Sequence, residues 1–314
     1  QDNTYTIVPV IKTTEIINTA NLTGKIENYP MRIYSVSQVG KISDITEQTT
    51  CHSGDEHVLK VAESCNQVYL DGSENKGSPS VSVIAKYGRH TKFLFFRVWV
   101  PELPLSIELS DSKLSQIKGW KAPRHQRRKT RGVEFGVLTH PDLLLQEEDT
   151  RQTDYDITCH LRFQSSVVEV YAQFRVPDVL GRDQYLVHRK AQLRVTDLVL
   201  DKLRVADSSI ALLEGQVVEV LRPGRTEIQV VSRSGRVLGT KEVRVGNDKV
   251  NLERLEVAVV TGLSMELGPE PELPGTLVAR MSRTSQLQKK YQEGILDIAV
   301  KFSDGSTPPL GYFP

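Results

Sequence analysis

The sequence predicts an all-β fold made of tandem β-sandwich domains, because alternating segments, turn-forming pairs and a repeated phrase occur along the chain. Alternation of apolar and polar residues places one face of a strand in a core and the other in water, as in antiparallel sheets. Many short strands at close spacing favour sandwiches. The alternating segments are Met31–Val36, Val81–Ala85, Ile107–Ser110, Val167–Val176, Ile228–Val231, Val243–Val245 and Leu255–Val259.

Turn-forming pairs separate these segments and predict where strands end. The pairs are Asp71-Gly72, Pro223-Gly224, Ser234-Gly235 and Asp304-Gly305, and such pairs mark tight turns. Long helical periodicity is absent, so we expect helix only as single turns, at Leu198–Leu203 and at Asp111–Lys118.

One phrase recurs and predicts the organisation of the chain. Ile42–Thr46 followed by Ser53–Val61 is similar to Leu193–Leu198 followed by Val205–Ala211, and Val300–Ser306 is a partial third copy. Each copy joins a strand-like run to a turn rich in Asp and Thr or Ser. Internal repeats indicate tandem modules, and tandem β-modules favour binding over catalysis.

The closing strands of the repeats set the predicted domain boundaries. Arg97–Val100 and Glu242–Val245 each end a unit, and a short junction follows. We therefore predict domains at 1–100, 101–247 and 248–314, which suits a chain of 314 residues at roughly 100 to 150 residues per domain. The third is expected to be incomplete, since no half-domain follows its Asp304-Gly305 turn. Junctions this short favour semi-rigid neighbours.

Composition narrows the class of protein. Hydrophobic residues make up 39% and charged residues 25%, as in globular domains with real cores. The net charge of +1 argues against a dedicated nucleic-acid binder. The longest apolar run, Phe93–Val100, contains Arg97 and is far shorter than the roughly 18 residues of a membrane helix. No signal-peptide pattern opens the chain, so we expect any such segment to lie outside it.

Three cysteines and one N-glycosylation sequon help to distinguish a secreted protein from a cytosolic one. Cys51 and Cys65 could join a hairpin or two adjacent strands in a secreted protein, or stay reduced in a cytosolic one. We expect Cys159 to be an unpaired, buried thiol, the alternative being a bond to a cysteine elsewhere. Asn21-Leu22-Thr23 is an N-glycosylation sequon, and Asn21 is its predicted acceptor.

A basic run and an acidic run predict charged insertion loops in the second domain. The acidic run includes Glu147, Glu148 and Asp149, which we interpret as solvated. The basic run, 124–131, is a solvated loop, a contact for an acidic glycan such as heparan sulfate, or a processing site at 128–131. Its cations are Arg124, Arg127, Arg128, Lys129 and Arg131.

The candidate motifs for catalysis and metal binding each lack residues that the chemistry requires. Gly72 and Gly77 have P-loop spacing, but Ser78-Pro79 stands where the phosphate-binding Lys and Ser/Thr are needed. Cys51, His52 and His57 fall short of a zinc ligand set. Gly246–Asp248 offers too few oxygens for calcium and is expected to be a tight turn. We therefore predict no catalytic residues, no metal, no cofactor and no enzyme activity.

Two tryptophans flank the first junction. An aromatic contact patch is one interpretation of Trp99 and Trp120. Core filling at a domain interface is the favoured one, because large aromatic side chains supply much of the burial in small sandwiches.

Val98–Asp111 and Gln116–Trp120 closely resemble the transmembrane protein 132 family. The Trp-Val-Pro and Ile-Lys-Gly-Trp phrases are specific, and the likeness covers nearly the whole chain. The middle loops depart from vertebrate-like members, which are more acidic there. Further similar segments are Asn18–Gly24, Cys51–Cys65, Asp197–Gly215, Asp248–Val250 and Phe302–Ser306.

The resemblance implies a fold, a location and a class of function. Family members are single-pass surface proteins whose ectodomain resembles a cohesin-like module followed by tandem immunoglobulin-like domains of the bacterial type. They are associated with neural adhesion and with actin regulators on the cytoplasmic side. We therefore expect a disulfide between Cys51 and Cys65, and an extracellular adhesion or receptor module that contacts cell-surface proteins, itself included. The alternatives are a rigid spacer and a glycan-binding co-receptor that uses 124–131.

Overall fold

The computed structural model describes residues 4–125, 157–178, 180–273 and 275–312. They form three successive β-rich units: unit one (4–101), unit two (102–250) and unit three (251–312). The helices among these residues are single turns, and none of them could span a bilayer.

Unit one is a sandwich of two sheets. One sheet has the order β1-β3-β7-β6, and in the other β9 lies between β8 and the parallel strand β2, with β5 beyond β8. Apolar residues of both sheets, among them Ile33, Leu70, Val83 and Phe96, meet in one core. The elements are β1 (Thr4–Ile11), β2 (Glu15–Ile17), α1 (Ala20–Thr23), β3 (Glu27–Ser37), β4 (Ile42–Asp44), a 3-10 turn (Thr46–Gln48), β5 (Thr50–Ser53), β6 (Lys60–Val61), β7 (Gln67–Leu70), β8 (Ser78–Tyr87) and β9 (His90–Pro101).

Unit two repeats this arrangement with insertions. Its sheets have the orders β10-β13-β19-β18 and β12-β11-β21-β20-β17, and β11 pairs parallel with β21 as β2 does with β9. The elements are β10 (Ser106–Leu109), β11 (Lys113–His125), β12 (Ile157–Phe163), β13 (Ser166–Ala172), β14 (Phe174–Pro177), β15 (Asp183–Tyr185), β16 (Leu193–Arg194), α2 (Thr196–Val199), a 3-10 turn (Leu200–Lys202), β17 (Leu203–Val205), β18 (Ala211–Glu214), β19 (Val217–Val220), β20 (Gly224–Val231) and β21 (Val237–Val250).

Unit three consists of two antiparallel hairpins. β22 pairs with β25 and β23 pairs with β24. Its buried core is small and includes Val300 and Phe302 together with Ile117 and Val250 of unit two. The elements are β22 (Leu252–Val260), β23 (Gly262–Pro269), β24 (Leu277–Thr284), β25 (Ile295–Phe302) and a 3-10 turn (Leu310–Tyr312).

The repeated phrase forms the same hydrogen bonds in units one and two. The buried hydroxyl of Thr46 accepts from the Ile33 N–H at 2.9 Å, and that of Thr196 accepts from the Val170 N–H at 2.8 Å. Later in the phrase, the carbonyls of Asp55 and Asp207 each accept two N–H groups. In each copy, the threonine therefore hydrogen-bonds a turn to an interior strand of the sheet, β3 in unit one and β13 in unit two.

The third copy occupies a different place in its unit. Phe302 N–H donates to the Ser306 carbonyl at 3.0 Å, so Asp304-Gly305 is the hairpin turn that follows β25. In unit one the matching turn joins β3 to β4, where Ser37 N–H donates to the Lys41 carbonyl. The third copy thus lies at the position of the β3–β4 turn, although Asp304 Oδ1 accepts from the N–H and hydroxyl of Ser306 as Asp44 Oδ1 does from those of Thr46.

Two predicted segments differ from the structure, and one agrees. The predicted strand Val167–Val176 breaks at Gln173, because β14 leaves β13 and pairs with β9 of unit one. Asp111–Lys118 is largely strand β11, held by parallel pairing with β21. The single helical turn expected at Leu198–Leu203 is confirmed by the end of α2 and the 3-10 turn after it.

Candidate interaction site

Strand β9 belongs to two cores and fixes the junction between units one and two. Its residues Leu94, Phe96 and Val98 lie in the core of unit one. The next residue, Trp99, is 5% exposed and lies in the core of unit two. The end of the strand pairs with β14, with Pro101 opposite Phe174. Trp99 therefore fills an interface core, as its favoured interpretation predicted.

The short helix α1 of unit one also enters unit two. Leu22 is 1% exposed and belongs to the core of unit two. The helix ends at Gly24, whose φ of +64° favours glycine. A Cβ there would lie 2.8 Å from Cδ of Arg233 on the β20–β21 turn. Two core residues of unit two thus come from the preceding unit.

Trp99 and α1 are held in place by polar contacts. The Trp99 indole N–H donates to Glu15 Oε1 at 2.8 Å, and the Trp99 carbonyl accepts from the Asn18 N–H at 2.8 Å. Asn18 is fully buried, and its Oδ1 accepts from the Asn21 N–H at the start of α1. The junction is therefore hydrogen-bonded as well as packed.

A cleft of about 510 Å³ opens beside this junction. Asn21 is half-buried in its wall, with Asn75, Arg175, Ser234 and Arg236 around it. A glycan on Asn21 would begin at this cleft. Its attachment stays a prediction.

The backbone amides of the loop that carries Gly72 bind the carboxylate of Glu74, a residue of the same loop. Glu74 is fully buried and accepts N–H bonds from Asp71 and Gly72. Lys60 Nζ lies 2.6 Å from Asp71 Oδ2 and 3.5 Å from Glu74 Oε1. The hydrogen bond from Lys60 and those from Ser73 hold the pKa of Asp71 well below its usual range. The amides that a P-loop would offer to phosphate are used here within the fold.

A buried amide joins units two and three. Gln164 is 2% exposed. Its Oε1 accepts from the Ser115 N–H at 2.9 Å, and its Nε2 donates to Asp304 Oδ2 and Ser306 Oγ, both at 2.8 Å. Trp120 packs, half-buried, against the small core next to this contact. The Asp-Gly turn of unit three therefore docks on unit two.

The cysteines divide into a pair and an exposed thiol. Cys51 and Cys65 form a disulfide with their Cα atoms 5.4 Å apart, and both are buried in unit one. The expectation that Cys159 is buried is wrong, since this free cysteine is exposed on β12. It lies on the inserted β11–β12 ribbon, away from the core.

The remaining predicted residues form no common site. His52 and His57 are exposed on β5 and the turn after it. Gly246–Asp248 is part of β21, so the expected tight turn is wrong. Among the described residues, no three His, Cys, Asp or Glu side chains come close enough to hold a metal ion.

The basic run falls mostly outside the described residues. Only the backbone of Arg124, near the end of β11, is described. The predicted site residues outside the described ranges are Arg127, Arg128, Lys129, Arg131, Glu147, Glu148 and Asp149.

One exposed feature of unit one escaped the sequence analysis. Phe93 and Phe95 of β9 are 56% and 58% exposed, and their rings stack with centroids 6.4 Å apart. In the sequence, these two residues stand out only as part of the apolar run Phe93–Val100. Its alternation already placed two phenylalanines on the face opposite Leu94 and Phe96.

Three domain-family profiles match successive parts of this chain. The profile described as "TMEM132 fourth domain" matches residues 6–103, the fifth domain matches 106–250, and the sixth domain matches 251–314. Human transmembrane protein 132A is 34% identical in an alignment of 307 positions that covers 96% of this chain. The chain spans 29% of the length of that relative.

Solved structures share less with this chain. The S-layer protein rSbsC(31-844) aligns with 97% of this chain and 38% of its own at 13% identity and a TM-score of 0.33. An intimin fragment, solved in complex with the intimin-binding domain of its receptor Tir, aligns with 81% of this chain and 66% of its own. That alignment has 11% identity and a TM-score of 0.23. At these scores neither bears on the function of this chain.

The three consecutive domain matches follow the order of the three units, and the identity to the human relative extends over nearly the whole chain. This chain, with its tandem immunoglobulin-like sandwiches, belongs to the transmembrane protein 132 family.

Proposed function

We propose that this chain is an extracellular, non-catalytic adhesion or receptor segment of a single-pass membrane protein. It acts through protein–protein contacts on its sandwich surfaces, and its partners are cell-surface proteins, a second copy of the chain included. The observation that carries the proposal is the entry of β9 into two cores. Neural adhesion and coupling to actin would be properties of the whole protein and rest on the family.

A junction with a shared core supports recognition because it fixes the orientation of the two units relative to each other. Inter-domain motion is the default when few contacts cross a boundary. Here Leu22, Trp99 and the β9–β14 pairing cross it, so the faces of both units keep one relative orientation. A preorganised surface loses less conformational freedom on binding, and this saving raises affinity.

Cell binding and self-association test this proposal. A pentamerised form of the chain is applied to neuronal and non-neuronal cells, and binding is measured by flow cytometry. The untagged chain is sedimented over a wide concentration range. Saturable binding that protease treatment of the cells abolishes, or reversible self-association, is expected. A strict monomer that binds no cells contradicts the proposal.

A rigid spacer is the second candidate, and the buried junction favours it. In that case the chain holds other domains at a fixed distance and binds nothing itself. Small-angle scattering would then fit a single rigid shape while both binding assays stay negative. A glycan-binding role of 124–131 stays a prediction, tested by heparin retention before and after Arg127, Arg128, Lys129 and Arg131 are changed to Ala.

A further inference from the structure

Unit one presents an aromatic face that its fold does not require. The outward positions on β9 are Thr91, Phe93, Phe95 and Arg97, which alternate with the core residues Leu94 and Phe96. An antiparallel sheet with one solvated face normally carries polar residues at such outward positions. Two stacked phenylalanines, each more than half exposed, therefore need an explanation other than folding.

Unit two supplies an internal comparison for these positions. Val98 pairs with the buried Ile16 of β2, and Val245 pairs in the same parallel way with the buried Leu114 of β11. Counted back from these pairs, Phe95 corresponds to Glu242.

By the same count Phe93 corresponds to Thr240, and both residues of unit two are exposed. Glu242 is ion-paired with Arg244, whose Nε lies 2.9 Å from Glu242 Oε1. The same strand of the same fold is thus polar in unit two and aromatic in unit one.

The neighbouring strands extend the apolar centre and place polar side chains around it, with the cations Lys86 and Arg97 at its two ends. Glu15 of β2 lies opposite Arg97, and its Oε1 accepts from the Trp99 indole N–H. Ile84 on β8 lies directly opposite Phe93, and His52 on β5 lies opposite Ile84. Lys86 follows on β8, opposite Thr91. We call Ile84, Phe93 and Phe95, with His52, Lys86 and Arg97 around them, the Phe93–Phe95 face.

The charges of this face are available to a partner. In the part of the chain that the structure describes, neither Lys86 nor Arg97 has a carboxylate within ion-pair distance, although Arg97 lies 5.8 Å from the Trp99 ring. Aromatic residues, phenylalanine included, are enriched in protein–protein interfaces, and complementary charge around such a centre selects the partner.

We propose that the Phe93–Phe95 face binds another protein through a surface with an apolar centre and an acidic rim. A second copy of this chain docked face to face would bring its own Lys86 and Arg97 close to the same two cations of the first copy, and like charges oppose such pairing. The proposal rests on the proposed function and assigns it to one surface.

Selection from a peptide library tests the chemistry of this face. Phage-displayed random dodecapeptides are panned on the chain. The expected binders carry large apolar residues flanked by Asp or Glu. Affinity should fall at least about tenfold for Phe93→Ser/Phe95→Ser and also for Lys86→Glu/Arg97→Glu. The matched control, Thr240→Ser/Glu242→Ser, should bind like the unmodified chain.

The outcomes against the proposal are distinct. Basic binders, binders that ignore the Phe93→Ser/Phe95→Ser change, or a selection without specific binders overturn it. Because both phenylalanines are exposed, the variant should keep its circular dichroism spectrum and melting temperature. Self-association that disappears in this variant would make a second copy the occupant and overturn the assignment to an acidic partner.

Cell binding separates this proposal from the proposed function. If the unmodified pentamer binds cells and the Phe93→Ser/Phe95→Ser pentamer binds equally well, the Phe93–Phe95 face is not the site while the proposed function stands. If peptides bind the face as expected but the unmodified pentamer neither binds cells nor self-associates, the face recognises acidic apolar ligands and the proposed function fails.

Discussion

Single buried hydroxyls connect the repeated phrase to the sheets. Thr46 and Thr196 are 4% and 0% exposed. Each accepts a hydrogen bond from the backbone of the central strand beside it, at Ile33 and Val170. A buried N–H without a partner is costly, so these threonines satisfy backbone groups that no strand pairs at that point.

Replacing Thr196 by valine removes the acceptor and keeps the shape. We expect Thr196→Val to lower the free energy of unfolding of unit two by about 1–3 kcal/mol, the usual penalty for a buried unsatisfied group. Urea denaturation followed by circular dichroism measures it. Thr240→Val, at an exposed position of the same unit, should change stability little. Equal midpoints for the two variants would contradict the role of the hydroxyl.

Asp304 makes the contact between units two and three sensitive to acid. Partial burial alone would raise the pKa of Asp304, but hydrogen bonds from Gln164 and Ser306 outweigh it and hold that pKa below the ordinary 3.8. Because its pKa is lower in the folded state, the ionised Asp304 carboxylate stabilises the contact at every pH above its ordinary pKa. This stabilisation is lost as the pH falls through the folded-state pKa.

We therefore expect the Ser306 amide, which donates to Asp304 Oδ1, to lose protection from hydrogen exchange below about pH 4. Rates are compared after correction for the intrinsic pH dependence of exchange. In Asp304→Asn the carboxylate no longer titrates, so protection at this junction should vary much less with pH. Protection in the unmodified chain that stays constant down to pH 2 would rule out the role of Asp304.

At the scale of elements, α1 of unit one acts as a core element of unit two. Leu22→Ala should lower the stability of unit two by about 2–5 kcal/mol, the range for buried leucine truncations. Unit one should change little, since Leu22 does not belong to its core. Hydrogen exchange by mass spectrometry on peptides of both units separates the two effects.

Leu59→Ala is the matched control for this prediction. Leu59 is fully buried in the core of unit one, so its truncation should destabilise unit one first. If Leu22→Ala instead loosened unit one alone, the assignment of α1 to the core of unit two would be wrong.

Local patterns predicted the strands, while long-range pairing decided their exact bounds. Alternation found β3, β8 and β20, because each buries one face. It also found β22, although Leu255 and Val257 of that strand are exposed. It could not show that Val167–Val176 breaks at Gln173, since β13 and β14 keep the alternation on both sides of the break. That break depends on β9 offering its end to β14.

The candidate site was less predictable than the fold. The disulfide was expected from the family resemblance, and the interface role of Trp99 from its place beside the first predicted junction. The exposure of Cys159 depends on its place on the inserted β11–β12 ribbon. The Phe93–Phe95 face requires knowing that no other described element covers β9 there, and composition carries no such information.

At the scale of the molecule, the three units differ in how much of their apolar surface is covered. Units one and two have large cores. In unit three, one face of the β23–β24 hairpin carries Leu263, Met265, Leu267, Leu277 and Met281, each more than 60% exposed. Burial in unit three is therefore concentrated where it meets unit two.

The dependence between units one and two is asymmetric and predicts different behaviour for isolated units. A fragment covering 103–250 lacks Leu22, Trp99 and the β9 partner of β14. Burying one large apolar side chain contributes about 1.5–3 kcal/mol, and whole domains are stable by only about 5–15 kcal/mol. We expect unit two in this fragment to unfold at a clearly lower temperature than in 4–250.

A fragment covering 4–101 keeps the whole core of unit one, including the disulfide. It should melt near the temperature of unit one in 4–250, although it exposes Leu22 and Trp99 to solvent. Calorimetry of the three fragments decides the matter. If 103–250 melts like unit two in 4–250, the residues of unit one that reach unit two contribute no stability, and the junction is a contact between independent domains.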